Sequence, residues 1–129
     1  MQSGIYVANT TTAALSADSV IPLGAIVRRF GCALDLNGNG INLMVPGYYD
    51  VKASISYIAT SAGVVTVTLL ADGVAVPGAN ASVTAAAGDT VNLSIAAIVK
   101  RCCASAGTLT LQVGAAGTLE NVAIAAQKV

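Results

Sequence analysis

The stretch that follows Pro46-Gly47 constrains the fold most strongly, because apolar and polar residues alternate through it without interruption. Successive side chains of a β-strand point to opposite faces, so a period of two predicts a strand with one face in the core. The polar positions between, such as Lys52 and Ser54, are then expected on the outer face. The predicted core face of this strand consists of Tyr49, Val51, Ala53, Ile55 and Tyr57.

Turn signals divide the rest of the chain into further alternating segments. Asn-Gly pairs tolerate the positive φ angles of tight hairpin turns, so Asn37-Gly38-Asn39-Gly40 predicts a hairpin between residues 32–36 and 41–45. Asp72-Gly73 predicts a second hairpin, whose return strand is expected to stop at Pro77-Gly78. We also predict strands over residues 4–9, after Pro22 to about Arg29, and over 64–71, 74–76, 79–87, 90–100, 108–113 and 121–129, with a loop over 10–18.

The apolar residues of these segments alternate with the same period of two, which predicts that they face one common core. In the last strand two sets compete for the inner face, Val122, Ile124 and Ala126 against Ala123, Ala125 and Val129, and the sequence leaves both open. Eight or nine short strands without a helical period indicate an antiparallel β-sandwich or barrel. The residues predicted to be buried are Tyr49, Val51, Ile55, Val67, Leu69, Val91, Leu93, Ile95, Leu109 and Leu111.

The composition indicates a protein that associates with copies of itself. Only 9% of the residues are charged and 55% are hydrophobic, yet no run approaches the roughly 18 apolar residues of a membrane helix. A monomer so poor in charge exposes weakly polar patches that usually mark association surfaces. The six basic and six acidic residues cancel, which predicts no long-range field for nucleic acid. Residues 1–6 lack a signal-peptide pattern, so we expect synthesis in the cytosol and no membrane partner.

The residues for catalysis or cofactor binding are scarce. The chain has no histidine, which removes the commonest general base and metal ligand. Asp35 to Gly40 matches the first half of a calcium loop, but Pro46 stands where the bidentate glutamate belongs, so a hairpin is the better interpretation. We therefore expect no catalytic residue, no metal and no cofactor. We expect Cys32, Cys102 and Cys103 to be reduced, and a bridge from Cys32 to one of the adjacent pair is the alternative.

Three short motifs resemble those of the C1q and tumour-necrosis-factor superfamily. The segment from Gly47 to Val51 resembles its Gly-x-Tyr-x-Phe strand, with valine in place of phenylalanine. Asp72-Gly73 resembles its Asn-Gly hairpin, and the segment from Gly88 to Leu93 resembles its Gly-Asp-x-Val-x-Leu turn and strand. The likeness covers roughly residues 20–129. The residues that carry it are Gly47, Tyr49, Val51, Asp72, Gly73, Gly88, Asp89, Val91 and Leu93.

The resemblance implies an all-β, C1q/TNF-like jelly-roll sandwich of up to ten antiparallel strands that assembles as a homotrimer. We expect one domain over residues 1–129, with residues 1–19 as an N-terminal strand and loop that could serve as an attachment arm. Low aromatic content and the missing collagen repeat favour a microbial member of the superfamily, such as a bacteriophage head fibre or capsid decoration protein. The expected role is then structural and non-enzymatic, in a virion, with the major capsid or another virion protein as a further partner. The alternative is a host-receptor or glycan-binding module of a phage fibre or bacterial surface filament.

Overall fold

The structure, a computed structural model, describes residues 3–101 and 108–129. These residues contain twelve β-strands and no helix, which confirms the predicted all-β class. In chain order the strands are β1 (Ser3–Asn9), β2 (Ala13–Leu15), β3 (Ser19–Val20), β4 (Ala25–Phe30), β5 (Leu34–Asn37), β6 (Gly40–Leu43), β7 (Gly47–Ala59), β8 (Gly63–Ala71), β9 (Val74–Ala85), β10 (Thr90–Arg101), β11 (Thr108–Val113) and β12 (Gly117–Lys128).

The strands form two six-stranded antiparallel sheets around one core. The first sheet has the order β10-β7-β12-β1-β4, and β2 pairs with β12 beside this path. The second sheet has the order β5-β6-β11-β8-β9, and β3 pairs with β11. The inward side chains of both sheets belong to a single buried cluster. The fold is therefore a sandwich, the layered solution for sheets that are apolar on one face.

Strand β7 lies inside the first sheet and is bonded on both sides, to β10 and to β12. Its five predicted core residues are all buried, as the alternation requires. Nine of the ten residues predicted to be buried are buried, but Val91 is only half-buried. Val91 lies near the start of β10, an edge strand of the sheet, where neighbours cover the chain on one side only.

Both predicted hairpins are present with tight turns. In the first, Gly38 has φ 61° at the tip between β5 and β6, as a glycine-led two-residue turn requires. In the second, Asp72 and Gly73 both have positive φ, 52° and 81°, between β8 and β9. The region after Pro22 also agrees with the sequence, because β4 lies at the edge of the first sheet.

The N-terminal segment has more regular structure than predicted. Residues 13–15, expected in a loop, form β2 and pair with the start of β12. Strand β1 is bonded to β12 on one side and to β4 on the other, and Ile5 and Val7 are buried. The described part of this segment is therefore integral to the first sheet.

The return strand of the second hairpin does not stop at Pro77-Gly78. Strand β9 continues to Ala85, and its pairing with β8 shifts between Thr68 and Leu70. Proline cannot donate to the ladder, so the chain bulges at this point and pairing resumes beyond it. Gly78 supplies the positive φ of 79° that this bulge uses.

The structure also shows which face of the last strand, β12, is buried. Val122, Ile124 and Ala126 point into the core, while Ala125 and Val129 are exposed. The pairing of β12 with β7 shifts between Leu119 and Asn121. This bulge changes the phase of the alternation, so the buried Leu119 and the buried Val122 are three residues apart instead of two or four.

Two buried tyrosines bond to loop carbonyls near the ends of β7. The Tyr49 hydroxyl donates to the Val45 carbonyl, and the Tyr57 hydroxyl donates to the Ala115 carbonyl at 2.8 Å. Burial raises the pKa of both hydroxyls above the ordinary value of 10.0. Each ring fills the core while its hydroxyl satisfies a carbonyl, so neither polar group is left alone.

Alkaline pH should destabilise the fold through these two tyrosines. The folded chain keeps both hydroxyls protonated to a higher pH than the unfolded chain does, so the free energy of unfolding should fall as pH rises through and beyond about 10. Urea unfolding between about pH 8 and 11 measures this fall. The Tyr49→Phe, Tyr57→Phe variant should lose less stability over the range, although it starts about 1–3 kcal/mol lower per lost hydrogen bond. The exposed Tyr48→Phe control should fall like the parent, and an equal fall in the double variant would contradict the assignment.

Candidate interaction surface

The outer faces of the two sheets differ in chemistry. Hydroxyl and amide side chains predominate on the outer face of the second sheet, where Val64 is also 59% exposed. Some bond to one another across strands, as Thr66 and Ser82 do at 3.1 Å. The outer face of the first sheet instead presents alanine and serine at the middle of four neighbouring strands. The outward residues of the second sheet include Thr66, Thr68, Asn80, Ser82, Thr110 and Gln112.

Strand register places these small residues in adjacent rows. Tyr6, Ala125, Lys52 and Ala96 are directly opposite one another across β1, β12, β7 and β10. Ala8, Ala123, Ser54 and Ser94 form the next row in the same way. We call the set Ala8, Ser54, Ser94, Ala96, Ala123 and Ala125 the small-residue face.

Two shallow depressions run across this face. The larger has a volume of about 430 Å³ and is lined by residues of the small-residue face together with Tyr6 and Lys52. The smaller, of about 220 Å³, shares Tyr6, Lys52 and Ala125 and extends towards Arg28 and Phe30. Both exist because residues with short side chains lie between longer ones, so the backbone of the sheet is close to the surface.

Charge is sparse on this surface and partly neutralised. Lys52 and Asp50, neighbours on the outward side of β7, form an ion pair with 3.9 Å between Nζ and Oδ2. Large apolar side chains stand at the margins, where Ile98 is 69% exposed and Phe30 is 51% exposed. Phe30 leans over Gly4, where an added Cβ would lie 2.5 Å from the ring. The margin is therefore apolar and aromatic, and the middle is small and weakly polar.

The surface is large enough for a specific protein interface. Four strands spaced about 4.8 Å apart give the whole outer face of β10, β7, β12 and β1 a width of about 19 Å, and their lengths of 12, 13, 12 and 7 residues give a mean extent of about 36 Å. The product, about 700 Å², is close to the roughly 800 Å² that each partner buries in a standard interface. The arrangement suits packing against another surface better than it suits enclosing a small molecule.

The residues that carry the family resemblance do not meet in one place. Gly47, Asp72 and Gly73 lie at one end of the sandwich, while Gly88 and Asp89 form a turn at the other. At that turn the Asp89 carboxylate accepts a hydrogen bond from the Ala86 amide at 3.1 Å. The remaining four residues lie on β7 and β10, where Tyr49, Val51 and Leu93 are buried and Val91 is half-buried.

The other candidate sites give no binding arrangement. Asp35 accepts a hydrogen bond from the Leu36 amide and pairs with Arg29 at 3.5 Å, and residues 40–43 form a strand where a calcium loop would continue. In residues 3–101 and 108–129 no group of three or more metal-ligating side chains converges. Cys32 is exposed, while Cys102 and Cys103 lie outside the described residues. No helix within the described ranges has the length and apolar character needed to cross a membrane.

The sequence contained only part of the signal for the small-residue face. Alternation along β7 and β10 places Ser54 and Ser94 outward, which the sequence alone predicts. Ala123 and Ala125 could not be assigned, because either face of β12 was compatible with the core. The contrast between the two outer faces becomes visible only when the strand order is known.

Comparisons with known proteins identify the architecture. No protein-family model matches the chain, and no curated protein matches it. The solved structures do. Murine APRIL at pH 5.0 superposes with a TM-score of 0.75 at 11% identity, over 100% of both chains. The globular domain of zebrafish complement 1qA protein gives 0.69 at 10% identity, over 98% of this chain and 96% of that one. PRD1 vertex protein P5 gives 0.67 at 14% identity, with the same coverage of 98% and 96%.

The fold is a C1q/TNF-like jelly roll. The two-sheet topology and the full-length superpositions agree on this point, which confirms the predicted fold class. At these identities the likeness establishes the jelly-roll fold alone.

A charge placed in the small-residue face should disrupt self-association without unfolding the chain. Ala125 is exposed and lines both depressions, so Ala125→Arg should change the free energy of unfolding by no more than about 0.5 kcal/mol. We expect it to weaken self-association at least about tenfold, measured by light scattering over a dilution series. Thr110→Arg, on the outer face of the second sheet, is the matched control and should associate like the parent. Equal association of both variants would show that this face is not the interface.

Proposed function

We propose that this protein is a non-enzymatic structural component of a bacteriophage virion, a head fibre or capsid decoration protein. It assembles as a homotrimer through the small-residue face, and its contribution is mechanical stability of the particle rather than chemistry. The single observation that carries this proposal is the outer surface of the first sheet, which is broad, poor in charge and built from short side chains.

Short side chains favour assembly because they let another surface approach the sheet closely. Interface cores are depleted in charged residues, and obligate interfaces resemble a domain core cut in half. Exposed apolar margins such as Ile98 and Phe30 would lose contact with water in the assembly, which supplies the driving force. A cyclic homotrimer uses one such contact repeatedly and closes on itself.

The role in a virion is supported by the comparison with a vertex protein of phage PRD1, whose fold this chain shares along almost all of its length. A jelly roll serves many functions, so the fold alone is an argument by analogy. The proposal adds to it the low charge and the absence of histidine, which suit a packed structural protein.

The trimer and the virion role are tested separately. The trimer predicts a mass of about 38 kDa, three times the 12.7 kDa of the chain, that persists on tenfold dilution at micromolar concentration. A persistent monomer would contradict it. The virion role predicts that antibodies against the protein label particles purified from the host that carries the gene. If mass spectrometry of purified particles detects the other virion proteins but not this chain, the virion role is contradicted. That result would not affect the trimer proposal.

A second candidate function, glycan or receptor binding, is favoured by one observation. Tyr6 and Phe30 border the smaller depression together with the carboxylate of Asp50 and the amide of Gln127. Aromatic faces beside polar groups are a common pattern for ligand recognition. This function needs an uncovered surface, so it competes with assembly through the same face. Tyr6→Ala should abolish binding on a glycan array if the ligand is a glycan, whereas a parent protein that binds no glycan on the array would contradict the glycan-binding form of this candidate.

A further inference from the structure

The charged side chains are separated along the strands, although they cancel in the whole chain. The two ends of the sandwich are defined by β7. At the Gly47 end β7 begins and β10 and β12 finish, and at the Ala59 end β7 finishes and β10 and β12 begin. The half at the Gly47 end holds all six cations: Arg28, Arg29, Lys52, Lys100, Arg101 and Lys128.

The carboxylates divide evenly between the halves. Asp35, Asp50 and Asp72 lie in the half at the Gly47 end, which therefore has six cations and three carboxylates, a net side-chain charge of +3. Asp18, Asp89 and Glu120 lie in the half at the Ala59 end, with no cation among them, a net of −3. All twelve charged side chains belong to the described residues, so this division is complete.

Local pairing leaves a group of cations at the tip of the Gly47 end. Asp35 pairs with Arg29 and Asp50 pairs with Lys52. In the part of the chain that the structure describes, Lys100, Arg101 and Lys128 have no carboxylate within ion-pair distance. Register places all three at this end, because Arg101 is opposite Gly47, Lys100 is opposite Tyr48 and Lys128 is opposite Tyr49. Lys100 lies on the outer face of the first sheet, whereas Arg101 and Lys128 follow the inward phase of their strands.

The surroundings of Lys100 are apolar and exposed, whereas Arg101 is half-buried and its Nε is enclosed. Tyr48 is 53% exposed and lies 5.8 Å, from ring centroid to ammonium, from Lys100. Met44 and Val45, which lead into β7, are also exposed. Aromatic residues, methionine and arginine are enriched at protein interfaces, so this end has the composition of a docking surface for protein.

The Ala59 end has the complementary chemistry. Its turns consist largely of small residues, at positions 60–63, 86–88 and 114–117. Asp18 and Asp89 are exposed there, and Glu120 is half-exposed beside the Thr90 hydroxyl, 3.5 Å away. The described surface at this end is thus built from small residues and is acidic, where the opposite end is basic.

The two ends act independently in solution. The thirteen residues of β7 span about 40 Å, whereas the Debye length at physiological ionic strength is about 8 Å. Charges at one end are therefore screened from charges at the other. The net charge of zero predicted no useful field, but the strand order concentrates opposite charges at opposite ends, so a field exists locally at each.

We propose that the Gly47 end of one copy docks on the Ala59 end of another, so that copies associate head to tail. The occupant of the basic end is a second copy of this chain, because the complementary acidic surface is present on the chain itself. Such a contact is heterologous and leaves both outer ends open, so association continues along one direction. It does not depend on the proposed trimer. In a cyclic trimer whose axis runs along the strands, the three Gly47 ends lie side by side, and so do the three Ala59 ends. Two stacked trimers would then be joined by three weak contacts at once.

The test is the mass of the full chain as a function of salt. Exposed ion pairs are individually weak and are screened by ions, so stacking should occur at about 20 mM NaCl and vanish at about 500 mM NaCl. By sedimentation velocity we expect the average mass at low salt to at least double over a rise in concentration of about fortyfold. At high salt the measured mass is that of the closed unit, by which we mean the trimer or, if no trimer forms, the monomer. The same experiment therefore tests the trimer proposal separately from stacking.

Two variants with opposite defects identify the surfaces. Lys100→Glu, Lys128→Glu makes the Gly47 end acidic, and Thr90→Lys, Glu120→Lys neutralises the Ala59 end. Each alone should stay at the closed unit at low salt. Mixed together they should form pairs that do not grow, because only one compatible contact exists between them. Thr110→Glu, which changes charge on the flank, should stack like the parent.

The outcomes that overturn the proposal are distinct from one another. A parent mass that is independent of salt would reject end-to-end docking. Stacking that survives in either double variant, when circular dichroism shows both to be folded, would place the contact elsewhere. A parent that stays at the closed unit yet binds phosphatidylglycerol vesicles through Lys100 and Lys128 would replace the second copy by a lipid surface.

Discussion

The structure depends on the fixed register of β7 between β10 and β12. A strand that slips by one residue exchanges its buried and exposed side chains, and here that would place Asp50, Lys52 and Ser54 in the core. Burying these two charges costs several kcal/mol per ion even as a pair, which is more than any gain such a slip could offer. Tyr49 and Tyr57 add a second constraint, because their hydroxyls reach loop carbonyls near the two ends of the strand. The register is thus specified along the whole strand and at both ends.

The small-residue face is a consequence of this register. Once β7 is fixed, β12 and β10 are aligned to it residue by residue, which brings Ala125, Lys52 and Ala96 into one row. No residue of the small-residue face is unusual by itself. The surface arises because four strands that are distant in sequence each present a short side chain at the same level. Core packing determines the inward residues, and the same alternation leaves the outward residues free to serve an interface.

Much of the fold could be predicted because alternation and turn chemistry are local signals. The period of two identified β7, and the turns at Gly38 and at Asp72-Gly73 were visible as residue types that accept positive φ. Bulges were not visible. In the sequence, Pro77-Gly78 resembles the end of a strand, although the structure has a bulge of β9 there. The bulge of β12 near Glu120 changes the phase of its alternation, so the sequence could not assign the core face of that strand. In both places pairing with a distant strand decided the outcome.

The charge separation shows why a net charge describes a folded chain poorly. The cations occur in three sequence regions, around Arg28, at Lys52 and from Lys100 onwards, and strand direction brings all three to one half of the sandwich. The two proposed kinds of association should have opposite dependence on salt. Contact through the small-residue face would be driven by removal of apolar surface from water, which sulfate and other excluded salts strengthen. Contact between the ends would be electrostatic and would weaken as ions screen it. Ionic strength should therefore separate end-to-end stacking from trimer formation. At high salt, association through the small-residue face can be measured without a contribution from the two ends.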